Sequence, residues 1–247
     1  MDLFKSSNPV LTEKSIKDAA RLDYTERMTV NGTIGKVGFL LFLLVAAGAF
    51  SWSMAARGVA VTAMLYGGAI VGLILAIVMT FKKTLSPILA PVYALAEGLF
   101  LGAISMLFES LYNGIVLQAV GITIGVFFCM LFLYRARIIR ATERFKSIMF
   151  VAISGIAVFY LVAFGLSFFG IYIPFLSEGS PLGIGFSVVV AGIAALSLIL
   201  DFDRIEEGAN YGLPKYYEWY AGFGLLVTII WLYLEILRLL SKLQSRN

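Results

Sequence analysis

Apolar and polar positions alternate along this chain in long blocks. Seven apolar stretches stand out, at about 35–56, 61–81, 88–109, 115–134, 148–170, 182–201 and 218–240. A helix needs about 20 apolar residues to cross roughly 30 Å of hydrocarbon, and each stretch meets that length. None shows the two-residue alternation of a barrel strand, so each predicts a helix that is apolar on all sides. The breaks between them are short. Arg57-Gly58, Lys82-Lys83-Thr84, Asn113-Gly114 and Gly179-Ser180-Pro181 are turn or helix-breaking sequences. The expected protein is an all-α integral membrane protein with a seven-transmembrane-helix bundle over 35–247, preceded by a cytoplasmic N-terminal segment over 1–34.

Within the spans, Gly68 and Gly72, Gly98 and Gly102, and Gly121 and Gly125 are each spaced i, i+4. Such pairs let helix backbones approach closely, so a compact bundle is expected. Ala221, Gly222 and Gly224 add small residues to the last span. The polar start argues against a cleaved signal peptide. Its stretch Leu11–Met28 predicts a solvated or surface-bound helix with Thr12 as cap.

Composition agrees with lipid as the solvent. The chain is 60% hydrophobic and 14% charged, whereas a soluble domain carries about a quarter charged residues. Histidine is absent and Cys129 is the one cysteine. That removes disulfides, Cys/His zinc sites, haem ligation through His, and Ser-His-Asp triads. No GxxxxGK[ST] loop occurs, and Gly183-Ile184-Gly185 is followed by Phe186 and not by the aspartate of an intramembrane aspartyl protease. The chain is therefore expected not to be an enzyme and to need no cofactor.

Lysine and arginine set the orientation. With seven spans, one side carries Lys5, Lys14, Lys17, Arg21, Arg27, Lys36, Lys82, Lys83, Arg135, Arg137, Arg140, Arg144, Lys146, Arg204 and Lys215, which is 15 of the 19 basic residues. That side is expected to be cytoplasmic, and the N-terminus with it. Arg57, Arg238, Lys242 and Arg246 fall on the other side. A re-entrant segment in place of one span would leave only Arg57 there.

Acids inside spans are the informative residues, because a charge at the bilayer centre costs about 2.5–3.5 kcal/mol on insertion scales. Glu97 lies about 14 Å of helical rise into the third span, between Pro91 and Gly98. It reads either as a hydrogen-bonded interhelical carboxyl or as part of a permeation path. Asp201 closes the sixth apolar run and is aimed at the bundle. Arg204, at i+3, can pair with it, while Asp203, Glu206 and Glu207 are turned away towards water. Glu235 stands late in the last span with Arg238 at i+3, and Glu218 opens that span beside Trp219 and Tyr220. Glu218 and Glu235 are about 25 Å apart along a helix, so only one of them can face Asp201. Rise arithmetic mildly favours Glu218.

The segments SSNPVLTEK, TVNGTIGKVG, AEGLFLGAIS, LILDFDRIEEGA and EWYAGFGLLVTIIWLYLEILRLL together resemble the transmembrane Bax-inhibitor-motif family, in its bacterial YccA-like branch. The resemblance implies a seven-helix bundle with the last helix central, ringed by the other six. It implies a pH-sensitive calcium leak, controlled by a proton-binding latch between an acid on helix 6 and one on helix 7. The sixth-helix acid matches Asp201, and the seventh-helix aspartate of the pattern falls at Glu235. The pattern also uses an arginine on helix 2; the second span here holds none, and Arg57 lies just before it.

Two carboxylates within about 4–6 Å cannot both carry charge cheaply, so a shared proton would hold the helices together and its loss would part them. The leading expectation is thus a passive, proton-gated cation leak in a bacterial inner membrane. Asp201 and Glu235 are its candidate Ca²⁺ ligands, and the expected partners are the bilayer and Ca²⁺ or another cation, with no nucleic acid. The alternative is an interaction protein that binds or modulates a membrane quality-control protease through its N-terminal segment.

Overall fold

The computed structural model describes residues 27–171, 173 and 179–246. Seven long helices make up almost all of them: α1 (Val30–Ala56), α2 (Val61–Phe81), α3 (Ser86–Leu111), α4 (Ile115–Arg135), α5 (Glu143–Ser167), α6 (Pro181–Asn210) and α7 (Tyr216–Gln244). All seven are long and apolar enough to cross a membrane. The helix expected at Leu11–Met28, with its Thr12 cap, lies almost wholly outside the described residues.

Local chemistry explains where the helices begin. The Thr29 hydroxyl accepts from Gly32 N at 2.9 Å, so α1 starts a turn before its apolar run. Thr142 caps α5 in the same way, and Ser180 caps α6 with Pro181 following it. Glu109 accepts from Gly114 N at 2.6 Å and Val116 N at 3.1 Å, placing a carboxylate on the positive end of α4. Gly114 has φ +80°, a conformation that side chains disfavour. Pro91 does not interrupt α3, whose helical assignment is continuous through it.

One boundary differs from the sequence expectation. The acidic stretch after Asp201 is helical, and α6 runs on to Asn210, leaving only Tyr211–Lys215 as the connection to α7. The reason is that its charges find partners on neighbouring elements. Lys146 at the start of α5 pairs with Asp203 at 2.9 Å and Glu207 at 2.7 Å. Arg137 pairs with Glu206 at 2.8 Å, and the Tyr134 hydroxyl donates to the same carboxylate. Asp203, Glu206 and Glu207 are therefore not simply turned to water; they tie α6 to the α4–α5 connection.

The last helix is the centre of the bundle. Of its most apolar 18-residue stretch 56% is buried, and it packs against α1, α3, α4 and α6, whereas the corresponding stretches of α5 and α2 are 6% and 11% buried. Those two are outer helices: α2 lies mainly on α3, and α5 lies on α6 and reaches α7 through Tyr160. The ring around α7 is consequently made by four helices at close range and two further out.

Glycines set the closest approaches. A methyl on Gly98 would lie 2.5 Å from Leu44 O and 2.7 Å from Ala47 Cβ of α1, and one on Gly68 would lie 2.7 Å from Ala96 O of α3. Gly121 and Gly125 differ: nothing stands within 4 Å of either position, so this pair does not pack inside the bundle. Replacing Gly98 by Leu is expected to lower stability by about 1–3 kcal/mol through overpacking. Gly121→Leu should change it by no more than about 0.5 kcal/mol. Thermal unfolding of the purified variants in one detergent checks both.

Candidate functional site

Helices α6 and α7 pack along their length, and Asp201 stands at their interface, about 13 Å of rise from the C-terminal end of α6. It is 8% exposed. The Thr228 hydroxyl of α7 donates to Asp201 Oδ2 at 2.5 Å. On the other oxygen, Arg204 Nη1 lies 3.9 Å away, at the end of a side chain 74% exposed. That pair forms as its i, i+3 spacing suggests, but at this distance and exposure it contributes little. A cavity of about 450 Å³ opens beside Asp201. Arg204 and Glu207 of α6, Tyr217, Tyr220 and Phe223 of α7, and Lys83 of the short turn Lys83–Leu85 also border it.

Neither glutamate faces Asp201. Its partner on α7 is Thr228, from which Glu235 lies about 10 Å further along the helix and Glu218 about 15 Å back. The register of α6 against α7 puts a hydroxyl where the resemblance implies a second acid. The two-carboxylate contact, whether drawn with Glu218 or with Glu235, is not formed.

Each glutamate has its own partners. Glu218 is fully buried and accepts from Thr29 N at 3.0 Å and Thr29 Oγ1 at 3.1 Å, while Lys36 Nζ lies 2.9 Å away. Gly32 makes room for it: a methyl there would sit 2.5 Å from Glu218 Cδ. This carboxylate fastens the first turn of α7 to the first turn of α1. Glu235 is 2% exposed and takes both hydrogen bonds from Arg238 Nη1, at 2.9 Å and 3.2 Å. Tyr160 of α5 completes the cluster, donating to Glu235 at 3.2 Å and accepting from Arg238 at 2.5 Å. The intrahelical pair expected from i, i+3 spacing is present, with a tyrosine added to it.

Glu97 occupies the α2–α3 seam at mid-depth, and Tyr93, to which it is hydrogen-bonded, packs edge-on against Phe223 of α7 with ring centroids 4.8 Å apart. Its carboxyl lies over Gly72, whose missing side chain provides the space. Among the described residues no group of three or more acids, cysteines or histidines gathers as a metal site. Asp201 and Glu235, the candidate Ca²⁺ ligands, do not converge.

Sequence reasoning missed Thr228, Tyr160 and Lys36 as partners of these acids, and Lys83 as a neighbour on the lining of the Asp201 cavity. Thr228 carried a signal, being the only serine or threonine in α7 between Glu218 and Glu235. Lys242, near the far end of α7, is 1% exposed and donates to Gly183 O at 3.1 Å and Ser187 Oγ at 2.9 Å of α6.

Six apolar helices around a central, largely buried seventh define an integral membrane protein of the helical-bundle class. The chain belongs to the Bax inhibitor 1-like family, whose family model matches residues 8–245. That family is linked to ion leak and channel activity. Neither curated proteins nor solved structures gave a match to the chain.

Proposed function

We propose that this chain is a passive cation leak, with Ca²⁺ as its principal ion and Asp201 as the charge that draws cations in. The observation that carries this reading is a buried carboxylate at the wall of a cavity that opens at the basic end of the bundle. A buried carboxylate in a low-dielectric cleft attracts cations, and here Lys83 and Arg204 share the lining with it. The absence of a gathered metal site among the described residues suits passage better than storage. The bacterial YccA-like branch, an inner-membrane location and a cytoplasmic N-terminus belong to the same proposal, supported by the motifs and the distribution of Lys and Arg. No catalytic role is part of it.

Control by pH is assigned to Asp201 itself. Thr228 donates to a charged or a neutral carboxyl, so protonation need not break the helix contact; it removes the charge that attracts the cation. Flux should therefore fall as the medium is acidified. The full chain reconstituted in liposomes with an enclosed Ca²⁺ indicator tests this. Uptake no faster than in protein-free vesicles would overturn the leak.

The second reading, association with a membrane protease, has one observation in its favour. Met28 N donates to Leu213 O at 2.7 Å, and Arg27 bridges to Pro214, so these two residues lie against the α6–α7 connection. Leu213 also lines the Asp201 cavity. A partner pulling on the N-terminal segment would act on the cavity wall. Deleting residues 1–26, which spares the Thr29–Glu218 contact, is expected to abolish co-purification with such a protease and leave leak unchanged. Retained association would exclude the segment as the handle.

A further inference from the structure

We propose that the Asp201 cavity is a binding site for organic ammonium ions, and that the Lys83 side chain is its tethered occupant in this conformation. Lys83 Nζ stands 5.7 Å from the ring centroid of Tyr217 and 5.2 Å from that of Tyr220. Its hydrogen bond goes to Tyr217 OH at 3.4 Å, and it forms no ion pair with an acid among the described residues. An alkylammonium is thus held by two aromatic faces, the way such faces hold ammonium ligands. Lys83 is exposed on its other side and hangs on a flexible stem, so a mobile ammonium can displace it.

The rest of the cavity completes a seat for such a ligand. Asp201 Oδ2 is taken by Thr228, but Oδ1 has only Arg204 near it, at 3.9 Å. One oxygen of a buried carboxylate therefore remains to receive an N–H donor. Phe223 and Ala221 give apolar wall between Asp201 and the tyrosines for a hydrocarbon stem. About 450 Å³ is ample for a small amine, since ligand pockets run from about 300 to 1,000 Å³. The donor set discriminates by chemistry. A hard metal cation is held only by several oxygen ligands at once; Asp201 offers one free oxygen and the other lining acid, Glu207, is paired with Lys146, so such an ion can pass but is not retained. A weakly hydrated ammonium with an alkyl stem is satisfied by one carboxylate and two rings. A bound amine would lie across the mouth and obstruct inorganic cations.

Isothermal titration of the full chain in detergent, with putrescine and tetramethylammonium as probes and ionic strength held constant with sodium chloride, tests the site. Lys83→Ala is expected to tighten binding about tenfold by removing the tethered competitor. Asp201→Asn should weaken putrescine about tenfold or more. The double variant Tyr217→Leu/Tyr220→Leu should do the same for tetramethylammonium, whose quaternary head depends on the rings. Thermal unfolding establishes that each variant is folded, and the tyrosine pair at the cavity edge is an independent probe should Asp201→Asn misfold. Unchanged affinity in Lys83→Ala, or wild-type affinity in the tyrosine double variant, would overturn the site. Binding is read here without flux. Ammonium binding in a protein that leaks nothing would sink only the leak, and leak without ammonium binding would sink only this site.

Discussion

Asp201→Asn is expected to lower Ca²⁺ flux through reconstituted protein by about tenfold or more and to flatten its dependence on pH. The substitution keeps the size of the side chain and an acceptor oxygen for the Thr228 hydroxyl, so the α6–α7 contact survives. What it removes is the one buried negative charge at the cavity. Charge in a cleft of low-dielectric walls raises local counter-ion concentration by about 10–1,000-fold, and that concentration effect is what the variant loses. Around Asp201, Arg204 and Glu207 stand on α6, Tyr217 and Tyr220 on α7, and Lys83 before α3. Glu207 is already paired with Lys146 at 2.7 Å. A wild-type flux and pH profile in Asp201→Asn would remove Asp201 from the mechanism. Thr228→Asp supplies the converse. It places a second carboxylate against Asp201, and two such groups share a proton because both cannot carry charge cheaply. Flux in that variant is expected to respond to pH more steeply than in the wild type.

Glu218→Ala is expected to cost about 3 kcal/mol of stability, read as a fall in unfolding midpoint in detergent. Breaking a buried ion pair from one side costs about 3–5 kcal/mol when the remaining charge stays buried. Lys36 is 24% exposed and can turn its amine to water, which places the expectation at the lower end of that range. The Thr29 N–H and hydroxyl also lose their acceptor. Glu218→Gln keeps the shape and an acceptor for Thr29, so it should lose distinctly less. Flux per folded molecule should be unchanged in both variants, because Glu218 has no contact with Asp201. A flux defect as large as that of Asp201→Asn would return Glu218 to the permeation path.

The spans were legible because apolar character is local. Each run of about 20 apolar residues answers to lipid whatever its neighbours do, and all seven expected stretches are helices at nearly the expected places. The inward aim of Asp201 was legible too, since a charge at the end of an apolar run has to turn towards protein or water. Glycine spacing was only half informative. The pairs Gly68–Gly72 and Gly98–Gly102 pack against neighbouring helices, but Gly121–Gly125 does not. The i, i+4 pattern says that a helix can be approached, and says nothing of which face is.

The partner of Asp201 was not legible, and the reason is register. Treating α6 as ending at Asp201 put that residue at the membrane edge, level with the start of α7, and so pointed to Glu218. In fact α6 continues nine residues to Asn210, held by the pairs of Lys146 and Arg137 with its acids, and Asp201 sits deeper, level with Thr228. By itself, then, the sequence determined the lipid-spanning class, the seven helices and the acid that faces inward, because these follow from the transfer free energy of each segment. Only the tertiary structure decided that Asp201 meets a hydroxyl, that Glu218 clasps α1 and that Lys83 borders the cavity. Those contacts depend on how far one helix slides past another, a quantity set by packing across the whole bundle and by no single segment.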